Sequence, residues 1–290
     1  MPELPEVETV RRDLDAAVTK KKIKVVEILS RTTIKNQPAD FLRFLKDAKF
    51  IAVERIGKLL IFSLSDKKHW LLIHLKMTGQ LIYQDGKKVL AGGHILGGKN
   101  GAFGGNLPGK ATRFYLELAD KSKLFFNDQR NFGYAKIVDA DELEIIKAKY
   151  GIEPLQANFI LKSFAAIFAG RNKNVKALLL DQNLIAGIGN IYADETLFAA
   201  GILPARIAKS LTPAEIKKLF AAIKTIIAKA IKNRGTTFSD YIDAHGHRGG
   251  FSKFLQVYGR AKEKCYKCGT ILKKAKIAGR GTVFCEKCQK

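Results

Sequence analysis

The chain has 290 residues, 47% of them hydrophobic, which is enough for two domains that each bury a core. Its 51 Lys and Arg residues outnumber 27 Asp and Glu residues and give a formal net charge of +24. The sequence holds no apolar run of membrane-spanning length and no signal peptide, so we expect a soluble cytosolic protein without a membrane partner. Such a charge attracts polyanions, but it does not by itself separate a DNA enzyme from a ribosome-associated or simply basic protein.

The first predicted element is an amphipathic helix that begins near Pro5, after which apolar residues recur at helical spacing. Removal of the initiator methionine would expose the secondary amine of Pro2 beside Glu3 and Glu6. A helix N-terminus disfavours a nearby ammonium group, so this amine would lose its proton more easily and be a better nucleophile. Taken alone, the stretch is also typical of an ordinary capped helix.

The next 120 or so residues read as short strands separated by turns, which predicts an antiparallel β-sandwich or barrel. The predicted strands are 22–30, 50–56, 59–64, 70–75, 80–83, 113–118, 123–126 and 134–138, with a short helix at 40–48. Residues 92–109 hold eight glycines and predict a flexible surface loop without a nucleotide-binding fingerprint.

The remaining chain is predicted to be helical. The predicted helices are 141–149, 158–168, 175–180, 191–200 and 213–232. Thr212, Pro213 and Glu215 form a strong start signal for the last of them. Residues 151–154 are predicted to link the domains. The chain is thus expected to divide into an N-terminal domain (1–150), a helical domain (151–260) and a small module (261–290).

The most specific motif is Cys265-x-x-Cys268, then 16 residues, then Cys285-x-x-Cys288. This spacing fits four thiolate ligands around one Zn²⁺ ion, and a closed four-cysteine site has no position open for substrate, so the zinc is expected to be structural. The intervening segment contains no acidic residue and predicts a basic hairpin with Arg280 at its turn. Its other basic residues are Lys273, Lys274 and Lys276.

Residues 187–190, Gly-Ile-Gly-Asn, open a predicted helix where free N–H groups can bind a phosphate. Arg171, Lys173 and Lys176 lie just upstream and would add positive charge. The alternative is a tight turn between helices that needs glycine for its geometry.

Four further positions, Phe132, Met77, Lys58 and His74, have an ordinary structural interpretation. Residues 128–133 form a turn whose Phe132 could wedge between DNA bases or simply be buried, and the same holds for Met77 after a strand. Lys58 is by default a surface lysine. His74 alternates with apolar neighbours, which is more typical of a core histidine than of a ligand.

Taken together and in order, these motifs resemble the formamidopyrimidine-DNA glycosylase family from end to end. The matching stretches are 2–8, 57–58, 74–79, 128–133, 151–155, 189–192, 235–237, 256–260 and the four cysteines. The resemblance implies an α+β fold, with an N-terminal β-sandwich flanked by helices and a C-terminal helix–two-turn–helix domain with a zinc finger. It also implies a bifunctional base-excision repair enzyme that removes oxidised purines, chiefly 8-oxoguanine and formamidopyrimidines, and then cleaves the abasic strand of damaged double-stranded DNA.

The same resemblance implies the catalytic roles. Pro2 would form a Schiff base at C1′, Glu3 would donate a proton as the sugar ring opens, and Glu6 would position the amine. Lys58 would contact phosphate and assist β-elimination, while Arg280 would assist δ-elimination.

It also implies the DNA contacts. Met77 and Phe132 would fill the gap left by the flipped nucleotide, and Arg130 would hydrogen-bond the orphaned cytosine. Asn190 and Arg171 would hold the backbone, and His74 is assigned to DNA binding with its motif. Residues 239–251 match the segment that covers the flipped base, although they also read as a disordered loop.

Two alternatives stay open. One is an endonuclease VIII-like enzyme for oxidised pyrimidines, against which Leu4 and the Arg130-x-Phe132 wedge argue. The other is a non-catalytic zinc-containing DNA-binding protein. In each case we expect a monomer in the bacterial cytoplasm, associated with the nucleoid.

Overall fold

The structure is a computed structural model that describes residues 1–86, 88–94, 107–236, 241–242 and 249–290. The chain divides into two units: Met1–Ala148 with Asn233–Ser252, and Lys149–Lys232 with Lys253–Lys290. The second part of the first unit therefore follows most of the second unit in sequence.

Strands form most of the first unit. They are β1 (Ile23–Ile28), β2 (Phe50–Ile56), β3 (Leu59–Leu64), β4 (Trp70–His74), β5 (Gly79–Asp85), β6 (Lys88–His94), β7 (Thr112–Leu118), β8 (Lys123–Asp128), β9 (Tyr134–Val138) and β10 (Tyr241–Ile242). Its helices are α1 (Leu4–Val18), α2 (Pro38–Leu45) and α3 (Ala140–Lys147).

Across the described residues these strands form two antiparallel sheets, one in the order β1-β7-β8-β5-β6-β10 and the other in the order β2-β3-β4-β9. Side chains alternate across each strand, so Phe114 of β7 and Phe62 of β3 both point into one apolar core. Helix α1 adds Val10 and Leu14 to that core. The predicted β-sandwich flanked by helices is confirmed.

The second unit is mainly helical. It contains α4 (Leu161–Ala166), α5 (Val175–Leu180), α6 (Asn190–Ala200) and α7 (Pro213–Lys232), followed by the hairpin of β11 (Lys273–Ile277) and β12 (Arg280–Phe284). Residues 151–154, predicted to link the domains, belong to this unit, because the N–H of Gly151 donates to the Gln182 carbonyl at 3.0 Å and that of Ile152 to the Leu184 carbonyl at 3.1 Å. In the described part of the chain, no helix combines the length and apolarity needed to cross a membrane.

One prediction about the secondary structure of the first unit is wrong. Gly92 and His94 were expected in a flexible loop, but they lie in β6, which pairs with β5. A Cβ atom on Gly92 would lie 2.3 Å from Cγ2 of Val10, so glycine is needed here for close packing of α1 on the sheet rather than for flexibility. Residues 95–106 of the predicted loop lie outside the described residues.

We predict that Gly92→Ala lowers the free energy of unfolding by about 1–3 kcal/mol, because the added methyl group overlaps Val10. The chain has one tryptophan, Trp70 in β4, so its fluorescence in urea reports on the first unit. In a Val10→Ala background the same substitution should cost less, since the overlap is relieved. An equal cost in both backgrounds would contradict this packing argument.

Candidate active site and DNA interface

The amino terminus of the first unit is held by buried carboxylates. Glu3 and Glu6 form a capping box at the start of α1, in which the Glu3 N–H donates to Oε2 of Glu6 at 2.9 Å. Oε1 of Glu6 accepts the N–H of Thr236 at 2.7 Å. Gly235 has φ +78°, and a Cβ there would lie 2.6 Å from Oε1 of Glu6, so only glycine fits beside this carboxylate. The start of α1 and the Gly235-Thr236 segment are thereby joined.

The amino group itself lies in a partly desolvated position. Burial lowers the pKa of the Met1 amino group; the carboxylates of Glu3 and Glu6 oppose this shift, and the charge of Lys58 adds to it. Pro2 is buried, whereas the Met1 side chain is half exposed. The Met1 amine therefore reaches its neutral form more readily than an ordinary chain terminus does.

Lys58 is not the surface lysine that its sequence context predicts. Lys58 is only 4% exposed, although it lies with Gly57 in the tight turn between β2 and β3, where Gly57 has φ +54°. Its ammonium lies near enough to the amino terminus to affect the pKa of that group. The structure thus brings together the amino terminus, Glu3, Glu6 and Lys58.

A second cluster forms where two turns meet. The carboxylate of Asp128 accepts the N–H groups of Arg130 at 3.1 Å and Gly133 at 2.6 Å, and it also accepts the hydroxyl of Thr78. The turn therefore presents Phe132, which is 51% exposed, with the Arg130 guanidinium 4.5 Å from the ring centre. The interpretation of Phe132 as a buried aromatic is wrong.

Met77 lies on the neighbouring turn and is 44% exposed. The Gly79 N–H donates to the Leu75 carbonyl at 2.8 Å, and a Cβ on Gly79 would lie 2.4 Å from that oxygen, so this turn also needs glycine. The Thr78–Asp128 hydrogen bond joins the two turns. Met77, Arg130 and Phe132 are thus held in one cluster of the first unit.

His74 ends β4 beside this cluster. Burial, followed by the charges of Lys76 and Lys58, lowers the pKa of His74 to about 3. Its Nδ1 accepts the Lys76 N–H at 3.0 Å, so the neutral ring carries its proton on Nε2. His74 therefore offers one uncharged N–H donor.

In the second unit, Asn190 begins α6 at the predicted phosphate site. Its Nδ2 donates to the Gly281 carbonyl of β12 at 3.0 Å, while Oδ1 is buried and without a hydrogen-bond partner among the described residues. Arg171 and Lys173 are exposed nearby in sequence. Lys176 was expected to add positive charge to the same surface, and that expectation is wrong because its side chain is fully buried.

The Lys176 ammonium instead connects three segments of the second unit. It lies 2.5 Å from Oδ1 of Asp194 in α6 and 2.6 Å from the Thr282 hydroxyl in β12. Oδ2 of Asp194 accepts the N–H of Val283 at 3.2 Å. Burial raises the pKa of Asp194, and the adjacent ammonium opposes that shift. This buried ion pair fixes the hairpin against α5 and α6.

The four cysteines lie together next to that hairpin. The Sγ atoms of Cys265, Cys268, Cys285 and Cys288 all lie within 4.8 Å of one another. Those of Cys265 and Cys288 are 3.9 Å apart, and those of Cys268 and Cys285 are 3.5 Å apart. A tetrahedral zinc with Zn–S bonds of ~2.3 Å requires sulfur–sulfur distances of roughly 3.8 Å. The residues therefore fit one structural zinc ion, as predicted.

The hairpin carries basic residues outward. Arg280 is exposed and begins β12 directly after the turn, where the sequence predicted it. Lys274 and Lys276 are also exposed, while Lys273 is paired with Glu286 at 2.6 Å. Of the predicted segment 239–251, residues 239–240 and 243–248 lie outside the described residues.

Three family models match consecutive parts of the chain. They are the formamidopyrimidine-DNA glycosylase N-terminal domain (1–135), the formamidopyrimidine-DNA glycosylase H2TH domain (150–241) and the zinc finger found in FPG and IleRS (262–290). The formamidopyrimidine-DNA glycosylase of Pelotomaculum thermopropionicum is 40% identical to this chain over 293 residues, covering 100% of this chain and 99% of that protein. The chain belongs to the formamidopyrimidine-DNA glycosylase family.

Solved structures of relatives agree with the family. A complex of Lactococcus lactis Fpg with DNA containing an abasic site has a TM-score of 0.85 at 33% identity, with 99% of each chain covered. A complex of a mutant of the same protein with DNA containing Fapy-dG has a TM-score of 0.86 at 34% identity, with 100% of each chain covered. The resemblance seen in the motifs, the fold class and the zinc finger are confirmed, and the family is one of DNA glycosylases with abasic-site lyase activity.

Two sets of residues were not singled out from the sequence. The first is the ion pair of Glu8 with Arg55, next to the turn that carries Lys58. The second is Glu195, which accepts the N–H groups of residues 256–258 at 2.8, 2.9 and 2.8 Å. The only sequence pattern that could have indicated the first set is the spacing of Arg11 and Arg12, three and four residues after Glu8, which favours ion pairs along a helix.

We predict that His74 stays neutral from about pH 8 down to about pH 5, because protonation would place a charge in a largely desolvated position near Lys76 and Lys58. In the folded state its pKa is depressed, so its contribution to stability is present above its unfolded pKa and falls as the pH drops toward about 3. ¹⁵N chemical shifts of the ring should report an Nε2–H tautomer throughout. A titration midpoint near the ordinary histidine value would contradict the assignment.

We also predict that Lys176→Met costs about 3–5 kcal/mol of stability, because it leaves the buried Asp194 carboxylate without its ammonium partner. Lys176→Met combined with Asp194→Asn should recover most of that loss, since the amide oxygen can still accept from Val283. Calorimetric unfolding of the zinc-loaded protein measures both. The matched control, Lys173→Met at an exposed position, should change stability by no more than about 0.5 kcal/mol.

Proposed function

We propose that this chain is a bifunctional DNA glycosylase and abasic-site lyase that excises oxidised purines, 8-oxoguanine and formamidopyrimidines, from duplex DNA. The observation that carries the proposal is the start of the chain, where Pro2 is buried and lies in sequence beside the buried carboxylate of Glu3, and where buried Glu6 and Lys58 act on the terminal amine. A protein that only bound DNA would have no use for that arrangement.

Damage recognition starts with extrusion of the nucleotide, because the sugar carbon cannot be reached inside the duplex. Met77 would fill the gap and Phe132 would wedge the neighbouring base step, which their exposure on firmly held turns supports. Arg130 would hydrogen-bond the orphaned cytosine. His74 would donate its Nε2–H to a backbone phosphate, and Arg171 with Asn190 would hold the strand through the second unit.

Base excision then requires the chain without Met1. The lone pair of the Pro2 nitrogen attacks C1′, the bond from C1′ to the base nitrogen breaks, and the base leaves with that electron pair and takes up the proton that the proline nitrogen loses. Glu3 would donate a proton to the ring oxygen O4′ as the C1′–O4′ bond opens, while Glu6 would position the amine. The proline nitrogen, having lost its own proton, forms a C=N⁺ iminium with C1′.

Strand cleavage follows from that iminium, which withdraws electrons from the sugar. A proton leaves C2′, a C2′=C3′ double bond forms, and the C3′–O bond breaks with departure of the 3′ phosphate as an anion. Lys58 would assist this β-elimination beside the phosphate. Loss of a C4′ proton and breakage of the C5′–O bond complete δ-elimination, which Arg280 would assist.

The parts of the chain would divide this work. Residues 1–150 would carry the chemistry, 151–260 would bind the DNA backbone, and 261–290, folded around one structural zinc, would place Arg280. We propose that the protein acts as a monomer in the bacterial cytoplasm, on DNA of the nucleoid.

The test is borohydride trapping on a duplex with 8-oxoguanine opposite cytosine, with the intact mass of the free protein read in parallel. We expect a covalent adduct on the N-terminal peptide of chains that lack Met1. The matched control carries one alanine inserted between Met1 and Pro2, which leaves the proline nitrogen acylated. That control should still bind the duplex and form no adduct.

The remaining outcomes separate the alternatives. An adduct that forms only on a 5-hydroxycytosine duplex would assign the enzyme to oxidised pyrimidines. Tight binding to both duplexes without any adduct, on chains that lack Met1, would make the protein a non-catalytic DNA binder.

A further inference from the structure

The ion pair of Glu8 with Arg55 lies next to the turn that carries Lys58, and it has no role in the proposed reaction scheme. Glu8 lies one turn into α1, and its carboxylate is only 10% exposed. Three guanidinium groups contact it: Nη2 of Arg11 at 3.1 Å, Nε of Arg12 at 2.7 Å and Nε of Arg55 at 2.8 Å. Burial raises the pKa of Glu8, but these guanidinium groups outweigh it, so the pKa is lowered and the carboxylate stays charged.

The three arginines are not equivalent. Arg11 and Arg12 belong to the same helix as Glu8 and form pairs within one turn of it. The Arg12 side chain is 59% exposed, so solvent screens its pair. Arg55 comes from β2, and its side chain is 7% exposed. Of these three contacts with Glu8, only the one made by Arg55 is buried and comes from outside α1.

Arg55 also holds the turn that carries Lys58. While Nε binds Glu8, Nη1 donates to the Gly57 carbonyl at 3.3 Å. Gly57 has φ +54°, a conformation that fixes the direction in which the chain leaves the turn. The planar guanidinium thus connects a helix carboxylate to the peptide immediately before Lys58, which a lysine at the same position could not do with one point charge.

The connection returns to the amino terminus. Glu8 lies on the first turns of α1, whose N-terminal end carries Glu3 and the terminal amine, and the Lys58 charge acts on that amine. Contacts therefore run from Glu8 of α1 through Arg55 to Gly57, and Lys58, the next residue, carries the charge that acts on the amine.

We propose that Arg55, anchored by Glu8, is a positioning residue that fixes Lys58 beside the N-terminal amine and the scissile 3′ phosphate for β-elimination. Arg55 itself touches no reacting atom. The inference rests on the proposed function, since it assigns Arg55 a role only if Lys58 acts in that elimination.

A double-mutant cycle tests this coupling. The substrate is a duplex with a preformed abasic site, so that base excision does not enter the rate, and single-turnover strand cleavage is measured for Arg55→Met, Lys58→Gln and the double variant. A small misplacement of a catalytic group costs on the order of tenfold to a hundredfold in rate, and we expect a loss in that range for Arg55→Met. In the Lys58→Gln background the Arg55 substitution should have little further effect, because its target is gone.

Arg12→Met is the matched control. It removes an arginine from the same carboxylate at a similar distance, but from the exposed side and without a link to the Lys58 turn. Its strand-cleavage rate should equal that of the unmodified chain. If Arg55→Met fails to fold by Trp70 fluorescence, Arg55→Lys keeps the charge near Glu8 while losing the bond to Gly57, and it should show the same dependence on Lys58.

The outcomes are distinct. A full additional loss from the Arg55 substitution in the Lys58→Gln background would overturn the proposal, because Arg55 would then act on the structure as a whole. Equal losses for Arg12→Met and Arg55→Met would overturn it as well. Absence of a borohydride-trapped adduct with the unmodified chain would instead reject the proposed function, and this inference with it.

Discussion

The site depends on the carboxylate of Glu6. A chain terminus is ordinarily frayed, and a nucleophile placed there would lose the positional precision that catalysis needs. Here one oxygen of Glu6 accepts the N–H of Glu3 and the other accepts the N–H of Thr236, 230 residues away in sequence. Hydrogen bonds to a charged group contribute about 1.5–3 kcal/mol each, which is enough to hold the terminus in one position. The amine and the Thr236 segment therefore share one support, and displacement of either affects the other.

Two other buried carboxylates also hold a backbone segment by accepting its N–H groups. Asp128 accepts hydrogen bonds from the N–H groups of the turn that bears Phe132. Glu195 accepts hydrogen bonds from the three consecutive N–H groups of residues 256–258. A buried carboxylate is tolerated only when such donors satisfy it, and once satisfied it binds loop segments more firmly than apolar contacts could. Exposed side chains such as Phe132 therefore lie on a rigid backbone. The entropy cost of ordering that backbone arises during folding and not during DNA binding.

Much of this could be read from the sequence, and the exceptions share a physical cause. Alternation and turn residues predicted β2 and β3 to the residue, and cysteine spacing predicted the zinc cluster. Lys58 and Lys176 were expected at the surface because charge is the strongest local sign of exposure. Their burial depends on partners distant in sequence: Asp194 is 18 residues and Thr282 is 106 residues from Lys176. Gly92 likewise reads as a loop residue until Val10 is brought against it. The proposed Schiff-base role of Pro2 rests on the likeness of whole motifs, because its local pattern, although it favours a nucleophilic amine, is equally typical of an ordinary capped helix.

The first unit is discontinuous in sequence, so its parts are synthesised at different times. Its last segment, Asn233–Ser252, leaves the ribosome only after the whole of Lys149–Lys232 has been made. Until then Thr236 is not available to Glu6, and the nascent amino terminus lacks the contact that holds it in the finished protein. Translation proceeds at about 5–20 residues per second, so on the order of ten seconds pass between emergence of the terminus and synthesis of Thr236. Chain order thus leaves the amino terminus open to processing before its contact with Thr236 can form.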